Sequence, residues 1–269
     1  HYLDFSAADP RTEVCRERLA PGRVFLSGCG VSPGLADRVA AGLAAELSGD
    51  VDLVVRVGAI PAQRTNRLGY GLIWNLDGLL AEYTAPCEAI VDGGRVTLPA
   101  LSQPEEFTLG GVAYEAFCTA GGLGGLIGRV GANVRNLVFR TIRYPGHRDY
   151  MAFLLDDLGL RHRRDLLLTV LRNGLPPVLD DLVLVYVTAS GIRDGAAVEQ
   201  SFVLRIEARN AGDPDKPNAL ALGSAAHAAG LLDLLREGAL ADRPAELRRL
   251  LDNRFLADIV DWDFRELPR

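Results

Sequence analysis

The sequence predicts an α/β fold with a mixed, largely antiparallel sheet. The chain begins with strand-like and helix-like segments in alternation, a pattern typical of α/β folds. In its middle, β-type runs are joined by Asp-Gly and Gly-Gly pairs, which indicate hairpins and therefore antiparallel strands. Its 269 residues suffice for one large α/β unit or for two smaller ones.

The first third of the chain predicts strands and helices in turn. HYLDF and RVFLSG are short apolar runs that predict strands on either side of a polar helical stretch. LADRVAAGLAAEL has apolar residues at helical spacing and predicts a helix. DLVVRVGAIP then predicts a strand, and GYGLIWNLDGLLAEY predicts a second helix.

The remaining segments predict hairpins first and helices last. CEAIVDGGRVTLPAL and EEFTLGGVAYEAF each predict a hairpin, because glycine pairs separate their β-type runs. NVRNLVFRTIR predicts a strand, and two helices separate it from a third hairpin that turns at RDG. After the Gly-rich and Pro-rich stretch NAGDPDKPN, the tail is predicted to be helical.

Composition and charge exclude several classes of function. The net charge of -6 argues against a nucleic-acid partner, because phosphate binding needs a concentrated basic surface. No apolar run approaches the roughly 20 residues of a membrane-spanning helix, so no membrane partner is expected. The 4 cysteines are widely spaced, which fits reduced thiols in a cytoplasmic protein. The 4 histidines include no pair at metal-ligand spacing, so no metal is expected.

The stretch GCGVSPG, residues 28–34, allows two interpretations. Its glycines lie between a predicted strand and a predicted helix, as in loops whose backbone amides receive a pyrophosphate. However, Pro33 removes one amide, and hairpins follow in place of a second βαβ unit. The alternative is a tight strand-to-helix turn in which the glycines relieve backbone crowding.

Four separated motifs carry a resemblance to a known family. They are GCGVSPGL, NRLGYGLIWNLDGLLAEYTAPCEAI, YEAFCTAGGLGGL and RTIRYPGHRDYMAFLLDDLGL. From residue 1 to about residue 210 the chain resembles the saccharopine dehydrogenase family, which includes saccharopine reductases, lysine 6-dehydrogenases and carboxynorspermidine dehydrogenases. The resemblance implies a Rossmann domain for NAD or NADP and an α/β domain that binds substrate and forms a homodimer. It also implies hydride transfer at a carbon that bears nitrogen.

The resemblance implies a division of the chain as well. The chain starts at His1 inside a strand-like run, and the family's phosphate loop would precede it, so the N-terminal part of the Rossmann domain is expected to be missing. The residues expected to border the nicotinamide are Asp4, Gly28, Gly30, Pro33 and Gly34. The expected segments are 1–35 (the nucleotide-domain remnant), 36–212 (the substrate and dimerisation domain) and 213–269 (a helical tail that returns to the nucleotide domain).

The stretch FRTIRYPGH, residues 139–147, carries most of the implied substrate site. Arg143 would grip a substrate carboxylate, since a guanidinium offers a planar fork of donors, and Arg140 would add a second cation. Tyr144 would orient the carboxylate or the amine, and His147 would shuttle a proton because histidine titrates near neutral pH. Structural roles are equally open: Arg143 could pair with Asp149 or Asp157, Tyr144 could be a core residue, and His147 could cap the next helix.

Two further stretches complete the implied site. Asn66, Tyr70 and Trp74 are spaced four apart and would share one face if the segment were helical. They would supply hydrogen bonds and an apolar wall, or simply pack a helix. Thr119 lies in the turn FCTAGGLGGL and is expected to bind substrate. The glycines of this turn could let backbone amides face an anion, although a glycine-rich helix start is more often only a tight turn.

The sequence therefore predicts a cytoplasmic, NAD(P)-dependent oxidoreductase that acts on a C–N bond of an amino-acid or polyamine-type substrate. The chain alone would be inactive if the dinucleotide loop lies upstream. The alternative is a non-catalytic binding or scaffolding module that kept the fold and lost that loop.

Overall fold

A mixed sheet of nine strands dominates the computed structural model, which describes residues 1–6, 10–123, 125–208, 213, 215–238 and 245–269. A separate parallel pair, β1 (Tyr2–Leu3) and β2 (Phe25–Leu26), precedes the large sheet. The strands of the large sheet are β3 (Ser48–Pro61), β4 (Cys87–Val91), β5 (Gly94–Leu98), β6 (Glu105–Leu109), β7 (Val112–Cys118), β8 (Val134–Arg143), β9 (Asp181–Arg193), β10 (Ala196–Glu207) and β11 (Val260–Pro268).

The order of the strands confirms the predicted α/β class with a largely antiparallel sheet. The main path runs β11-β10-β9-β3-β8-β4-β5. β3 and β8 are parallel, whereas β9, β10, β11 and the hairpins are antiparallel to their neighbours. The end of β8 pairs with β7, which in turn pairs with β6. This pairing sets Arg143, the last residue of β8, opposite Glu115.

Seven α-helices accompany the sheet within the described residues. They are α1 (Pro10–Glu17), α2 (Leu35–Ala45), α3 (Leu76–Thr84), α4 (His147–Ala152), α5 (Arg164–Gly174), α6 (Ala219–Arg236) and α7 (Ala245–Leu251). A π-helical turn, Phe153–Asp157, continues α4. No helix in this part of the chain is long and apolar enough to span a membrane.

One hydrophobic core joins the three segments that the sequence suggested. Leu26 and Leu35 from the first stretch, Leu53 from β3, and Ala226 and Leu250 from the tail belong to the same buried cluster. The side chains of a strand alternate between the two faces of a sheet, so every second residue of β3, β8 and β9 points into this core. The expected boundary at residue 212 lies outside the described residues.

The prediction of an entirely helical tail was wrong. The last strand, β11, pairs with β10 along its whole length and forms one edge of the sheet. Val260, Trp262 and Phe264 alternate with Asp261 and Asp263, which is a strand pattern. Packing between neighbouring strands stabilises β11, since the Trp262 ring stacks on the Phe202 ring of β10 with the ring centroids 5.5 Å apart.

The helix predicted for residues 69–83 is only half helical. Helix α3 begins at Leu76, and the residues before it are irregular, with an isolated bridge between Leu72 and Pro177. Gly69 has a φ of 62°, a left-handed conformation that ends regular helix. Asn75 caps the helix, since its side-chain oxygen accepts a hydrogen bond from Gly78 N.

Candidate functional site

A cavity of about 490 Å³ lies between strands β3, β8 and β9 of the sheet, helix α3 and the turn at residues 28–34. Most of its wall is apolar, formed by residues such as Val57, Ala59, Phe139, Val183 and Leu220. The lining residues with polar side-chain atoms are Ser32, Trp74, Glu82, Thr141 and Arg143. A concave, mainly apolar space with a few converging polar groups is typical of a small-molecule site.

The alternation of β8 decides which of the two predicted arginines reaches this cavity. Phe139, Thr141 and Arg143 line the cavity, so Arg140 points to the opposite face of the sheet. There Arg140 Nη1 forms an ion pair of 2.5 Å with Glu105, which also binds Arg56. The structure therefore does not bring Arg140 and Arg143 together. The sequence could have predicted this, because residues three apart on a strand point to opposite faces of the sheet.

The guanidinium of Arg143 is buried and held along one edge. Only 2% of the residue is exposed. Its Nε donates to the Tyr83 hydroxyl at 2.8 Å, and its Nη1 donates to the Ile142 carbonyl at 2.8 Å. The guanidinium also lies over the Tyr70 ring, 4.8 Å from the centroid, a favourable cation–π geometry. Asp149 pairs with Arg148, whereas the carboxylate beside Arg143 is that of Glu82, at 3.9 Å.

A chain of hydrogen bonds runs from Arg143 through Tyr83 to His147. Because arginine only donates, the Tyr83 hydroxyl accepts from Arg143 and donates its own proton to His147 Nε2, at 2.9 Å. His147 Nδ1 then carries the ring proton and donates to the Leu68 carbonyl at 2.9 Å. Burial and the nearby Arg143 lower the pKa of His147 to about 3. His147 is thus a neutral residue behind Tyr83 and does not line the cavity.

Tyr144 lies on the other side of the sheet from the cavity. Its hydroxyl donates to the Pro61 carbonyl at 2.9 Å, and its ring stacks on Tyr114 in a separate buried cluster. The start of α4 is capped by Glu115, whose carboxylate accepts hydrogen bonds from Gly146 N and Arg148 N. Packing and hydrogen bonding thus account for Tyr144, and His147 is not the cap of α4.

The cluster of Asn66, Tyr70 and Trp74 is only partly assembled at the cavity. Trp74 lines it and is 37% exposed. Its Nε1 donates to the Tyr70 hydroxyl at 3.1 Å, and Tyr70 is buried beneath Arg143. Asn66 instead donates to the Tyr70 carbonyl at 2.7 Å. Trp74 therefore touches the cavity, Tyr70 supports Arg143, and Asn66 stabilises the preceding turn.

Thr119 lies at the edge of the cavity, in contact with a lining residue. Its hydroxyl is 2.6 Å from that of Thr141, and both residues are buried. The following turn, residues 120–122, forms part of the wall. At Gly121 a Cβ atom would have no neighbour within 4 Å, although its φ of 83° favours glycine.

The turn at residues 28–34 closes the cavity on the side of α2. Ser32 and Pro33 line the cavity, and Gly30 lines a neighbouring groove of about 340 Å³. Gly34 is packed so closely that a Cβ atom there would collide with the Gly30 carbonyl. Gly28 has a φ of 71°, and these glycines therefore serve a tight turn.

Asp4 lines neither the cavity nor the neighbouring groove. Its carboxylate accepts hydrogen bonds from Ser6 and Ser27. The Asp4 carbonyl also accepts from Cys29 N at 2.8 Å. Asp4 therefore connects β1 to the turn at residues 28–34.

Sequence reasoning missed Glu82. Burial raises the pKa of this carboxyl to about 7, although the adjacent Arg143 acts in the opposite direction. A glutamate within an amphipathic helix is usually exposed to solvent, so the sequence carries no local signal for this position. Only the packing of α3 against β7, α4 and α5, with Tyr83 bonded to Arg143 of β8, brings Glu82 to the cavity.

A family model matches most of the chain. Residues 30–233 match the model of the saccharopine dehydrogenase C-terminal domain. The chain belongs to this family, which confirms the resemblance of its sequence motifs.

Two solved structures are similar to the chain. Apo saccharopine dehydrogenase (L-Glu forming) from Saccharomyces cerevisiae matches with a TM-score of 0.77 and 13% identity, over 98% of this chain and 79% of that one. Homospermidine synthase from Legionella pneumophila, solved in complex with NAD, matches with a TM-score of 0.61 and 12% identity, over 100% of this chain and 71% of that one. At such identities the likeness concerns the fold.

Proposed function

We propose that the protein is an NAD(P)-dependent oxidoreductase that acts on a C–N bond of an amino-acid or polyamine-type substrate bearing a carboxylate. One observation carries the proposal: a buried guanidinium, Arg143, lies on the wall of a mainly apolar cavity. Its Nε and Nη1 already donate to Tyr83 and Ile142. Its remaining donors suit a ligand carboxylate.

The other cavity residues supply the rest of the substrate contacts. The Thr141 hydroxyl, supported by Thr119, offers a polar contact two residues before Arg143. Trp74 and the apolar wall would hold a carbon chain. Tyr70 and Tyr83 contact the guanidinium from two sides, so their role is to hold Arg143 in position. His147 keeps Tyr83 oriented through its accepting Nε2.

The nicotinamide end of a dinucleotide would lie in the groove beside the cavity. The groove and the cavity share Val31, Ser32 and Leu220, so the two spaces adjoin. Gly30, Ser32 and Pro33 would contact NAD or NADP, while Asp4, Gly28 and Gly34 shape the turn that presents them. When bound, the nicotinamide would supply hydride transfer. Support comes from the homospermidine synthase relative, which was solved with NAD.

We also propose that the protein is a cytoplasmic homodimer. The cytoplasmic location is supported by the four cysteines, which are all free thiols. Assembly as a dimer is supported by Trp262 and Phe264, two exposed aromatic side chains on one face of the edge strand β11.

The test combines cofactor binding with turnover. The product of the longest reading frame that contains this chain and the 269-residue chain itself are each titrated with NADH and NADPH, followed by nicotinamide fluorescence. The longer product is then assayed with saccharopine and NAD or NADP by the absorbance of the reduced nicotinamide. We expect it to bind one cofactor and to oxidise the amine. If neither cofactor binds and no substrate is oxidised, the non-catalytic binding module becomes the better description.

A further inference from the structure

Glu82 places an acidic group on the cavity wall. It belongs to α3, and Gly78 and Ala81 of the same helix and Ala85, which follows the helix, also line the cavity. These neighbours are small, so the longer side chain of Glu82 protrudes beyond them. Among the described residues that line the cavity, Glu82 carries the one carboxyl group and Arg143 the one guanidinium.

The carboxyl of Glu82 forms a long ion pair with Arg143 and accepts no hydrogen bond from the described part of the protein. Arg143 Nη2 lies 3.9 Å away, beyond ordinary hydrogen-bond distance. Asp181 shows the contrast, because its carboxylate accepts from Ala219 N and Leu220 N. The oxygens of Glu82 are therefore available to a ligand in the cavity.

The proton affinity of Glu82 suits acid–base exchange. Burial raises its pKa to about 7, so both forms are present near neutral pH, as proton transfer requires. The titratable and charged groups that face it are Arg143 of β8, Tyr83 of α3 and Tyr70 of the segment before α3. Burial raises the pKa of both tyrosines, which keeps them neutral.

The other polar groups near Arg143 are already engaged. Both ring nitrogens of His147 are hydrogen bonded, to Tyr83 and to Leu68. The Tyr144 hydroxyl donates to the Pro61 carbonyl on the opposite face. A proton on the substrate nitrogen would therefore meet Glu82 first.

We propose that Glu82 exchanges the proton of the substrate nitrogen; this role rests on the function proposed above. In the oxidative direction, the carboxylate takes one proton from a bound ammonium group: an N–H bond breaks, an O–H bond forms, and the nitrogen keeps the electron pair. The products are a neutral amine, ready to lose hydride to the nicotinamide dinucleotide, and a neutral carboxyl. In the reverse direction Glu82 returns the proton.

The short separation of Glu82 and Arg143 agrees with this role. In an α-amino acid, one carbon joins the carboxylate to the nitrogen. A carboxylate bound by Arg143 therefore brings the nitrogen to within reach of Glu82, which lies 3.9 Å from that guanidinium.

The first measurement titrates the carboxyl without cofactor. Infrared difference spectra are recorded on protein whose glutamate side chains carry carbon-13. The samples are wild type, Glu82→Gln and the control Glu88→Gln. The control removes an exposed carboxyl on β4. Wild type and the control should show a protonated carboxyl band that disappears as the pH rises through about 7, and Glu82→Gln should lack it. The same band in Glu82→Gln would overturn the proposal.

The second measurement separates chemistry from binding. With the saccharopine assay, Glu82→Gln should lower kcat by about 10²- to 10⁴-fold and leave KM within a few-fold, whereas Glu88→Gln should match wild type. An active wild type with an equally active Glu82→Gln would overturn the role of Glu82 alone. An inactive wild type would overturn the proposed function, and the acid–base role with it.

Discussion

The Tyr83 hydroxyl accepts a 2.8 Å hydrogen bond from Arg143 Nε. The same hydroxyl donates to His147, so the orientation of the cavity arginine depends on a histidine that does not line the cavity. His147 is therefore a positioning residue, which acts on Arg143 through Tyr83.

Replacing Arg143 with Leu should raise KM for a carboxylate-bearing substrate by two or more orders of magnitude. The reason is the loss of a charged contact of about 3 kcal/mol. Steady-state kinetics with saccharopine measures the change. An unchanged KM would remove Arg143 from the substrate site.

Arg140→Leu is the matched control, because it removes an arginine from the opposite face of the same strand. Its partners are Glu105 and Gln103, so stability should fall while KM stays within a few-fold of wild type. A large rise in KM would show that the far face of the sheet takes part in binding.

Tyr83→Phe should destabilise the fold by about 1–3 kcal/mol, because it leaves Arg143 Nε and His147 Nε2 buried without their shared partner. Urea unfolding followed by circular dichroism measures the loss. The matched control, Tyr150→Phe, removes a hydroxyl from an exposed side chain and should stay within about 0.5 kcal/mol of wild type. Equal stabilities of the two variants would contradict the hydrogen-bond chain.

The pH dependence of stability should report the buried, neutral state of His147. Its folded-state pKa of about 3 lies below the usual 6.5, so the unfolded chain binds the proton more readily. The stability that this residue contributes is complete above pH 6.5 and is lost as the pH falls towards 3.

A comparison with His147→Gln isolates this effect from other titrating groups. The advantage of wild type over the variant should shrink by about 2 kcal/mol between pH 7 and pH 5, at about 1.36 kcal/mol per pH unit. Urea unfolding at several pH values measures it. A difference that stays constant with pH would show that His147 takes up a proton as readily in the folded protein as in the unfolded chain.

Gly34→Ala should destabilise the protein by more than about 3 kcal/mol. The new Cβ would collide with the Gly30 carbonyl, and the φ of 142° already disfavours a side chain. Gly93→Ala is the control, since Gly93 also has a positive φ but open space around it, and it should cost about 1 kcal/mol. Similar losses in thermal or urea unfolding would mean that the turn at residues 28–34 is loosely packed.

Local sequence patterns predicted much of the fold. Glycine pairs predicted the hairpins β4–β5 and β6–β7, and apolar spacing predicted α2 and α6, because both signals depend on neighbours along the chain. The same logic failed at residues 66–75. There the side chain of Asn66 and the left-handed Gly69 stabilise turns, and helical spacing alone could not reveal this.

The sequence by itself determined the fold class, the family and the stretch that contains Arg143, because these depend on periodicity and on ordered motifs. Only the tertiary structure decided which side chains meet. The alternation of β8 sends Arg143 to the cavity and Arg140 away from it, and the packing of α3 adds Glu82. Burial then sets the charge of each group, since removal from water makes His147 neutral and lets Glu82 hold a proton near pH 7. Burial is a property of the packed chain, so no pattern along the sequence records it.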